Sequence, residues 1–146
     1  MDVRSKVYHY QTTVRWTEQR KGIGSCVGKP DVEVATPPEF KGHEGIWSPE
    51  DLFVASANVC LMTTFLAVAE RAGLAFSAYE SAAEGRLELV EGKFQFTAIT
   101  IKPTITVESD TDIDKARQLI EKAEANCLIS NSMKATVTLE PVIRST

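Results

Sequence analysis

The chain has 146 residues, enough for about one domain with a core that needs no disulfide or metal support. Hydrophobic residues make up 43% and charged residues 25%, a composition typical of globular proteins and unlike that of disordered or repetitive chains. The net charge is −4 and the basic residues are scattered, which argues against nucleic acid as a partner.

The N-terminal part of the chain predicts strands joined by loops. It has no apolar core and no small-residue cleavage site of a secretory signal, so we expect a cytoplasmic protein. Polar, glycine-containing stretches at 17–23, "TEQRKGI", and at 37–47, "PPEFKGHEGIW", are the predicted loops, where sites tend to lie. The strands are predicted around Val3, Val7, Val14 and Trp16 and in "DVEVAT".

A long helix is predicted from Ser48 to about Gly73. Ser48 can cap it, a proline follows at the first helical position, and Glu50 and Asp51 suit the positive end of the helix dipole, with Asp51 in the capping-box position. Gly73 supplies a left-handed stop. Residues 52–69 are apolar, but polar residues interrupt them and charged residues bracket them closely. We therefore expect a buried core helix and no membrane span.

The second half predicts strands around a second helix. "RLELVEGKFQFTAITIKPTITVE" and "KATVTLEPVI" are predicted strands, with a hairpin turn at Glu91-Gly92. Pro103 and Pro141 predict that their strands are edges, are bulged or end there. Strand runs before and after a central helix indicate an α+β protein, with a single domain over 1–146.

The second helix is predicted from about Thr111 to Asn126, because apolar residues recur at helical spacing and charged residues take the other face. Cys127 lies on the apolar stripe that begins at Ile113. It is therefore predicted to point inward.

Cys60 is the first candidate for chemistry. It lies about three turns into the long helix, too far from the N-terminus for the dipole to favour a thiolate. Burial alone would leave it inert, and a lone cysteine on an apolar helix is more often a small hydrophobic residue. Redox chemistry there requires a cation from outside the helix and a second thiol.

The candidate cations are Arg15, Arg20 and Lys21. Arg20 is preferred because it lies in a polar loop before a glycine and because arginine stays charged when desolvated. Glu50 is the candidate carboxylate for orienting the guanidinium. A solvated turn and a charge at a helix start account for Arg20 and Glu50 equally well.

Spacing constrains how these residues could share a site. Glu50 and Cys60 are ten residues apart on one helix, which is about 15 Å along a straight axis. They cannot share a site within one chain. If both belong to one active site, a second subunit supplies one of them, as a two-fold dimer would do at two equivalent sites.

The second candidate thiol is Cys127, near the end of its helix. A disulfide with Cys60 would require the two Cα atoms to approach to about 5.5 to 6 Å. Cys26 follows a glycine-rich loop and is interpreted as incidental. His9 and His43 are far apart and poorly accompanied, and with no Cys-x-x-Cys in the chain we predict no metal site.

These residues together resemble the osmotically inducible protein C / organic hydroperoxide resistance (OsmC/Ohr) family. The resemblance is carried by "ATPPEF", "GHEGIWSPEDLFVASANVCLMTTFLAVAERAG" and "EKAEANCLISNSMKATVTLEP" and extends over nearly the whole chain. The combination is specific, because "SPEDL" precedes the first of these cysteines and a distal "NCLISNS" follows.

The resemblance implies an intertwined homodimer in which curved antiparallel sheets wrap around long central helices, with active sites at the subunit interface. It implies a metal-free, cofactor-free cysteine peroxidase of the oxidative stress response that reduces organic hydroperoxides. By position, Cys60 matches the peroxidatic thiol, Cys127 the resolving thiol, Arg20 the active-site arginine and Glu50 the carboxylate that orients it. The resemblance suggests a dihydrolipoyl protein as the external dithiol reductant.

Two other function classes stay open. The same dimer could be a non-catalytic binding module whose apolar interfacial pocket, with Phe53, Leu61 and Phe65 as its expected lining, holds a hydrophobic or thiol-reactive ligand. Alternatively, both cysteines are inert core residues of a structural or interaction domain.

Overall fold

A computed structural model describes residues 6–146. The chain packs into two compact units, one ending at Leu52 and the other beginning at Phe53. The prediction of a single domain over 1–146 stays a prediction. The predicted strand residue Val3 lies outside the described residues.

The first unit contains a three-stranded antiparallel sheet in the order β1–β2–β3. The predicted loop at 17–23 is mostly strand, because a two-residue turn at Gln19 and Arg20 suffices when Gln19 adopts a left-handed φ of 49°. The stretch 37–47 is a loop, as predicted, with one short 3-10 turn at Pro38–Phe40. The strands are β1 at Thr13–Glu18, β2 at Lys21–Ser25 and β3 at Val32–Ala35.

The long helix, α1, spans Pro49–Ala72 and confirms the predicted start and end. Ser48 and Asp51 form a reciprocal cap: the Asp51 N–H donates to Ser48 Oγ at 3.1 Å, and the Ser48 N–H donates to Asp51 Oδ2 at 3.0 Å. Gly73 ends the helix with a φ of 68°. By length and composition α1 could cross a membrane, a test that core helices of soluble proteins also pass.

The second unit is built on a long hairpin of β4, Phe76–Val90, and β5, Lys93–Val107. The predicted turn is confirmed: Glu91 and Gly92 both have positive φ, 52° and 81°, which matches the twist of the two strands. Two short strands pair in parallel with β5. They are β6 at Thr136–Leu139 and β7 at Val142–Ser145.

The edge-strand prediction for Pro103 is wrong, because Pro103 is buried in β5, which has neighbours on both sides. β6 pairs with β5 only up to Ile101, and β7 pairs only from Thr104 onward. The missing N–H of Pro103 therefore falls in the gap between two short strands and leaves no ladder hydrogen bond unmade. Pro141 lies where β6 has ended, as predicted.

Two further helices close the second unit. α2 spans Ile113–Ala125 after a 3-10 turn at Asp110–Asp112, close to the predicted bounds, and α3 is a short helix at Leu128–Asn131. The core lies between the helices and the hairpin, where Phe65 stacks on Tyr79 at 5.4 Å between ring centroids. The α+β class is confirmed, with a mixed second sheet in place of a wholly antiparallel one.

Candidate functional site

The second unit brings Cys60 and Cys127 together. Cys60 lies in α1 with 9% of its surface exposed, and Cys127 is fully buried. The Cys127 thiol is placed to donate a hydrogen bond to Cys60 Sγ, an interaction that lowers the pKa of Cys60. Both cysteines are free thiols.

The junction between α2 and α3 holds Cys127 in this position. Its N–H donates to the Glu124 carbonyl oxygen at 3.2 Å, and its own carbonyl oxygen accepts from the Asn131 N–H at 3.0 Å. Cys127 is therefore the last residue attached to one helix and the N-cap of the next. The inward orientation predicted from helical spacing is confirmed.

The local environment favours the thiolate form of Cys60. Burial is the largest single influence and raises the pKa of the thiol. Donors from Cys127, the Ile129 N–H, the Thr64 hydroxyl and the Leu128 N–H together outweigh burial, so the pKa of Cys60 lies below its ordinary value. The thiolate is the reactive form of a cysteine, and Cys60 is accordingly set up as a nucleophile.

The opposite holds for Cys127. Burial and the neighbouring Cys60 raise the pKa of Cys127, and the hydroxyl and N–H of Ser130 only partly offset this. The Cys127 side chain makes no capping hydrogen bond to α3. The Ser130 hydroxyl and N–H therefore lie near the sulfur without forming a close hydrogen bond to it. The pair therefore combines one thiol whose pKa is lowered with one whose pKa is raised.

Sequence reasoning missed the donors to Cys60. The Thr64 hydroxyl lies 3.8 Å from Cys60 Sγ, one turn further along α1. Leu128 and Ile129 contribute backbone N–H groups, which no side-chain motif could reveal. The spacing of Cys60 and Thr64 on one helix was the available signal.

A network of polar side chains lies near Cys127, and sequence reasoning did not predict it either. Asn58 and Ser81 bind each other, with Asn58 Nδ2 donating to the Ser81 carbonyl oxygen at 3.2 Å and Ser81 Oγ donating to Asn58 Oδ1 at 2.6 Å. The Tyr79 hydroxyl is buried without a hydrogen-bond partner among the described residues. Burial raises the pKa of Tyr79, a nearby Ser81 lowers it, and Cys127 adds a further rise.

Arg20 and Glu50 lie in the first unit and do not pair within the chain. Arg20 is exposed at the β1–β2 turn, where Nη1 donates to the Phe40 carbonyl oxygen at 3.2 Å. Glu50 Oε1 is buried and makes no hydrogen bond to any residue within 6–146. Their roles at the site stay predictions.

The other cation candidates adjoin Arg20 in the first unit. Together they border an open groove of about 320 Å³ with mostly apolar accessible atoms. The groove is lined by Val14, Arg15, Trp16, Arg20, Lys21, Gly22, Val34, Ala35, Thr36 and Pro49.

The remaining candidates lie apart from this chemistry. The Cys26 thiol donates to the Gln11 carbonyl oxygen at 3.6 Å in the first unit. Leu61 and Phe65 are fully buried in the core, so within one chain they offer no accessible lining for a pocket. Within the described range no three His, Cys, Asp or Glu side chains gather as metal ligands would.

The fold and the paired thiols define a class of α+β proteins with a buried, unbonded dithiol. A family model described as OsmC-like protein matches residues 42–142, and the chain belongs to that family. The family includes proteins named as peroxiredoxins and as organic hydroperoxide resistance proteins.

Individual relatives support the assignment. The chain is 26% identical to the uncharacterized protein YmaD of Bacillus subtilis over 91% of both chains. It is 28% identical to peroxiredoxin OsmC of Escherichia coli over 73% of both chains. An organic hydroperoxide resistance protein from Elizabethkingia anophelis has the same fold, with a TM-score of 0.76 at 23% identity over 97% of this chain and 99% of that one.

Proposed function

We propose that this protein is a thiol-dependent peroxidase that reduces organic hydroperoxides to alcohols. The observation that carries the proposal is the pairing of Cys60, held toward its thiolate form, with a protonated Cys127. A thiolate attacks peroxide oxygen, and a second thiol within reach gives the oxidised product a defined fate.

The proposed reaction has two steps. The Cys60 thiolate attacks the distal oxygen of ROOH, and the O–O bond breaks. The RO⁻ group takes a proton and leaves as ROH. The oxygen transferred to the sulfur leaves Cys60 as a sulfenic acid. Cys127 then attacks the Cys60 sulfur to form the Cys60–Cys127 disulfide and release water. An external dithiol, which we propose is a dihydrolipoyl protein, restores both thiols by exchange.

The substrate class is supported by the relatives. The chain resembles a protein named peroxiredoxin and another named for resistance to organic hydroperoxides. A role in the oxidative stress response follows for this chain as part of the same proposal. A reducing cytoplasm suits a protein whose cysteines are free, and we propose that compartment.

Turnover of cumene hydroperoxide with dihydrolipoamide tests the proposal. Cys60→Ser should abolish turnover, whereas Cys26→Ser, at a thiol bound to Gln11 in the first unit, should leave it unchanged. After one equivalent of peroxide, the intact protein should lose two hydrogens and yield a crosslinked peptide containing Cys60 and Cys127. Stoichiometric binding of peroxide without consumption would instead indicate a binding module, and turnover in Cys60→Ser would end the mechanism.

We further propose that the active protein is a homodimer whose sites take Arg20 and Glu50 from the partner subunit. Large apolar side chains are exposed on both units of the single chain, including Trp16 at 74% and Val59 at 55%. Exposed apolar surface of this kind marks an interaction site. Glu50 Oε1, which is buried and has no hydrogen-bond partner among residues 6–146, also suits a carboxylate that finds its donor in a complete assembly.

Hybrid dimers test this arrangement directly. Cys60→Ser and Glu50→Gln proteins should each be inactive, and mixing and refolding them together should restore activity, because one site of each hybrid then contains both native residues. Each protein refolded alone is the control. Absence of restored activity in verified hybrids would place Cys60 and Glu50 in the same subunit or in separate functions.

A further inference from the structure

The apolar helix α1 carries a polar side chain, Asn58, that reaches the sheet of the second unit. Asn58 Nδ2 donates to the Ser81 carbonyl oxygen at 3.2 Å, and Ser81 Oγ donates to Asn58 Oδ1 at 2.6 Å. Both residues are half-buried. Asn58 is one of the polar residues that interrupt the apolar stretch 52–69, and the reaction proposed above gives it no role.

The Ser81 carbonyl oxygen points to the outer edge of the second sheet. β4 is the end strand of that sheet, and Ser81 lies opposite Pro103 of β5. The Glu140 N–H donates to the Ile101 carbonyl oxygen at 2.9 Å, so Ile101 and, two residues on, Pro103 direct their backbone groups away from β4. Opposite residues of an antiparallel pair either both face each other or both face away, so Ser81 faces away from β5. Asn58 therefore supplies a donor that no strand in the described part of the chain provides.

The two hydrogen bonds fix how α1 lies against β4. Apolar packing depends on buried area and not on direction, so the apolar side chains around Asn58 permit small rotations of the helix. A side chain that donates to and accepts from one partner residue permits much less rotation, because both bonds need short distances and suitable angles. We call this pair of residues the Asn58–Ser81 clamp.

The clamp lies on the other side of α1 from Cys60. Cys60 follows Asn58 by two residues, which is about 200° around the helix and about 3 Å along its axis. The two side chains therefore belong to one turn of the helix. A rotation of α1 that moves Asn58 along β4 carries the Cys60 sulfur in the opposite direction.

Cys127 is held by a different part of the second unit. Its N–H donates to the Glu124 carbonyl oxygen at 3.2 Å, and its carbonyl oxygen accepts from the Asn131 N–H at 3.0 Å. The position of one sulfur thus depends on α1, and the position of the other depends on the junction of α2 and α3. A disulfide requires the two sulfurs to approach to about 2.05 Å, so its formation depends on how these elements are aligned.

We propose that Asn58 and Ser81 are positioning residues that set the rate of disulfide closure between Cys60 and Cys127. This inference rests on the proposed peroxidase function. In the affected step, the electron pair of Cys127 Sγ forms the bond to Cys60 Sγ, and the S–O bond of the sulfenic acid breaks. The electron pair of that bond leaves with the oxygen, which takes up the Cys127 proton and departs as water.

The first step of the reaction should depend much less on the clamp. A peroxide diffuses freely and adjusts to the position of Cys60, whereas Cys127 is fixed to the end of a helix. The proposal therefore predicts a selective effect on the second step.

Single-turnover kinetics separate the two steps. After one equivalent of cumene hydroperoxide, intact mass at each time distinguishes the sulfenic acid, heavier by one oxygen, from the disulfide, lighter by two hydrogens. In Asn58→Leu and in Ser81→Ala, the sulfenic acid should form at the native rate. Disulfide closure should slow by about a hundredfold, the loss that a displacement of reacting groups by about 1 Å can cause. Ser77→Ala, the same change at an exposed position of β4, should match the native protein.

The double variant Asn58→Leu/Ser81→Ala separates positioning from stability. Each single variant leaves a polar side chain without its partner, whereas the double variant replaces both side chains by apolar ones. In urea unfolding, the double variant should therefore recover part of the stability that the single variants lose, while its disulfide closure stays slow. Ser81→Thr, which keeps the hydroxyl, should close at the native rate.

The outcomes distinguish positioning from its alternatives. Native closure in the double variant, or closure that recovers in step with stability, would overturn the proposal. The pH dependence of Cys60 alkylation by iodoacetamide should stay native in every variant, because the Thr64 hydroxyl 3.8 Å from the sulfur is retained. A shifted pH profile would show a disturbed thiolate and would also overturn the positioning role. A native protein that forms neither sulfenic acid nor disulfide would overturn the peroxidase function, and this inference with it.

Discussion

The Thr64 hydroxyl lies 3.8 Å from the Cys60 sulfur, one turn away on the same helix, and lowers the pKa of that thiol. A donor to the charged form of an acid stabilises that form. Thr64 has no chemistry of its own, but its hydroxyl therefore affects the reactivity of Cys60.

Thr64→Val should raise the pKa of Cys60, because it removes a donor to the thiolate and keeps the side-chain volume. The rate of Cys60 alkylation by iodoacetamide, followed by mass against pH, should shift to higher pH. Thr63→Val is the matched control, because the Thr63 hydroxyl donates to the Cys60 carbonyl oxygen at 3.1 Å and not to the sulfur. Equal pH profiles for Thr64→Val and the native protein would show that Thr64 contributes nothing to the thiolate.

The sequence predicted the two thiols but not what surrounds them. Helical spacing predicted the buried position of Cys127, but in the structure Cys127 lies beyond the end of α2 with an extended backbone, as the N-cap of α3. The donors at Leu128 and Ile129 are backbone N–H groups of a four-residue helix, too short to have a detectable period. Their effect on Cys60 arises only when distant parts of the second unit pack together.

The prediction for Pro103 failed for a related reason. Proline rules identify where a strand lacks a donor, but not whether its neighbour is interrupted at that point. Here β6 and β7 share one side of β5 and leave a gap opposite Pro103. Arg20 and Glu50 show the same limit: residue type and spacing suggest their chemistry, while their partners depend on contacts that the sequence does not encode locally.

Glu124→Gln should stabilise the protein at neutral pH, where the native carboxylate is charged while partly buried. The folded-state pKa of Glu124 is raised, chiefly by burial, so between its unfolded value of about 4.3 and the folded value the folded protein binds more protons. Native stability therefore falls as pH rises through this window and stays lower above it. Glutamine has the same shape and no charge to bury.

Urea unfolding at about pH 4 and about pH 7 measures this effect. The advantage of Glu124→Gln should be small at the lower pH and larger at the higher one. Glu121→Gln, exposed on the same helix, should stay within about 0.5 kcal/mol of the native protein. A stability difference that is independent of pH would contradict the assignment of a buried carboxylate.

Ser48→Ala should destabilise the protein by about 1 kcal/mol, the usual cost of losing an N-cap. The Asp51 N–H would lose its acceptor at 3.1 Å, at a position where the capping residue is only 2% exposed to solvent. Ser48→Asn, which retains a capping oxygen, should recover part of the loss in urea unfolding. Native stability for Ser48→Ala would show that the start of α1 does not depend on this cap.

Gly85→Ala should destabilise the protein by about 1 to 3 kcal/mol, the cost of overpacking. A Cβ at this position of β4 would lie 2.6 Å from Val54 Cγ2 and 2.8 Å from Phe96 Cε1. The Phe96 ring has little freedom to withdraw, because it stacks on Phe53 with 4.8 Å between ring centroids. Glycine is therefore required here by the close approach of α1 to the sheet.

The matched control is Glu84→Ala, at the exposed neighbouring position of the same strand, which should change the free energy of unfolding by about 0.5 kcal/mol or less. Shortening the opposing side chain, Val54, tests whether its contact with the added methyl group causes the destabilisation. In the double variant Gly85→Ala/Val54→Ala, the added methyl group meets the space left by the valine, so the two changes should be less destabilising together than the sum of their separate effects. Simple additivity in urea unfolding would show that the methyl group does not meet Val54, and that the cost at Gly85 arises from the strand itself.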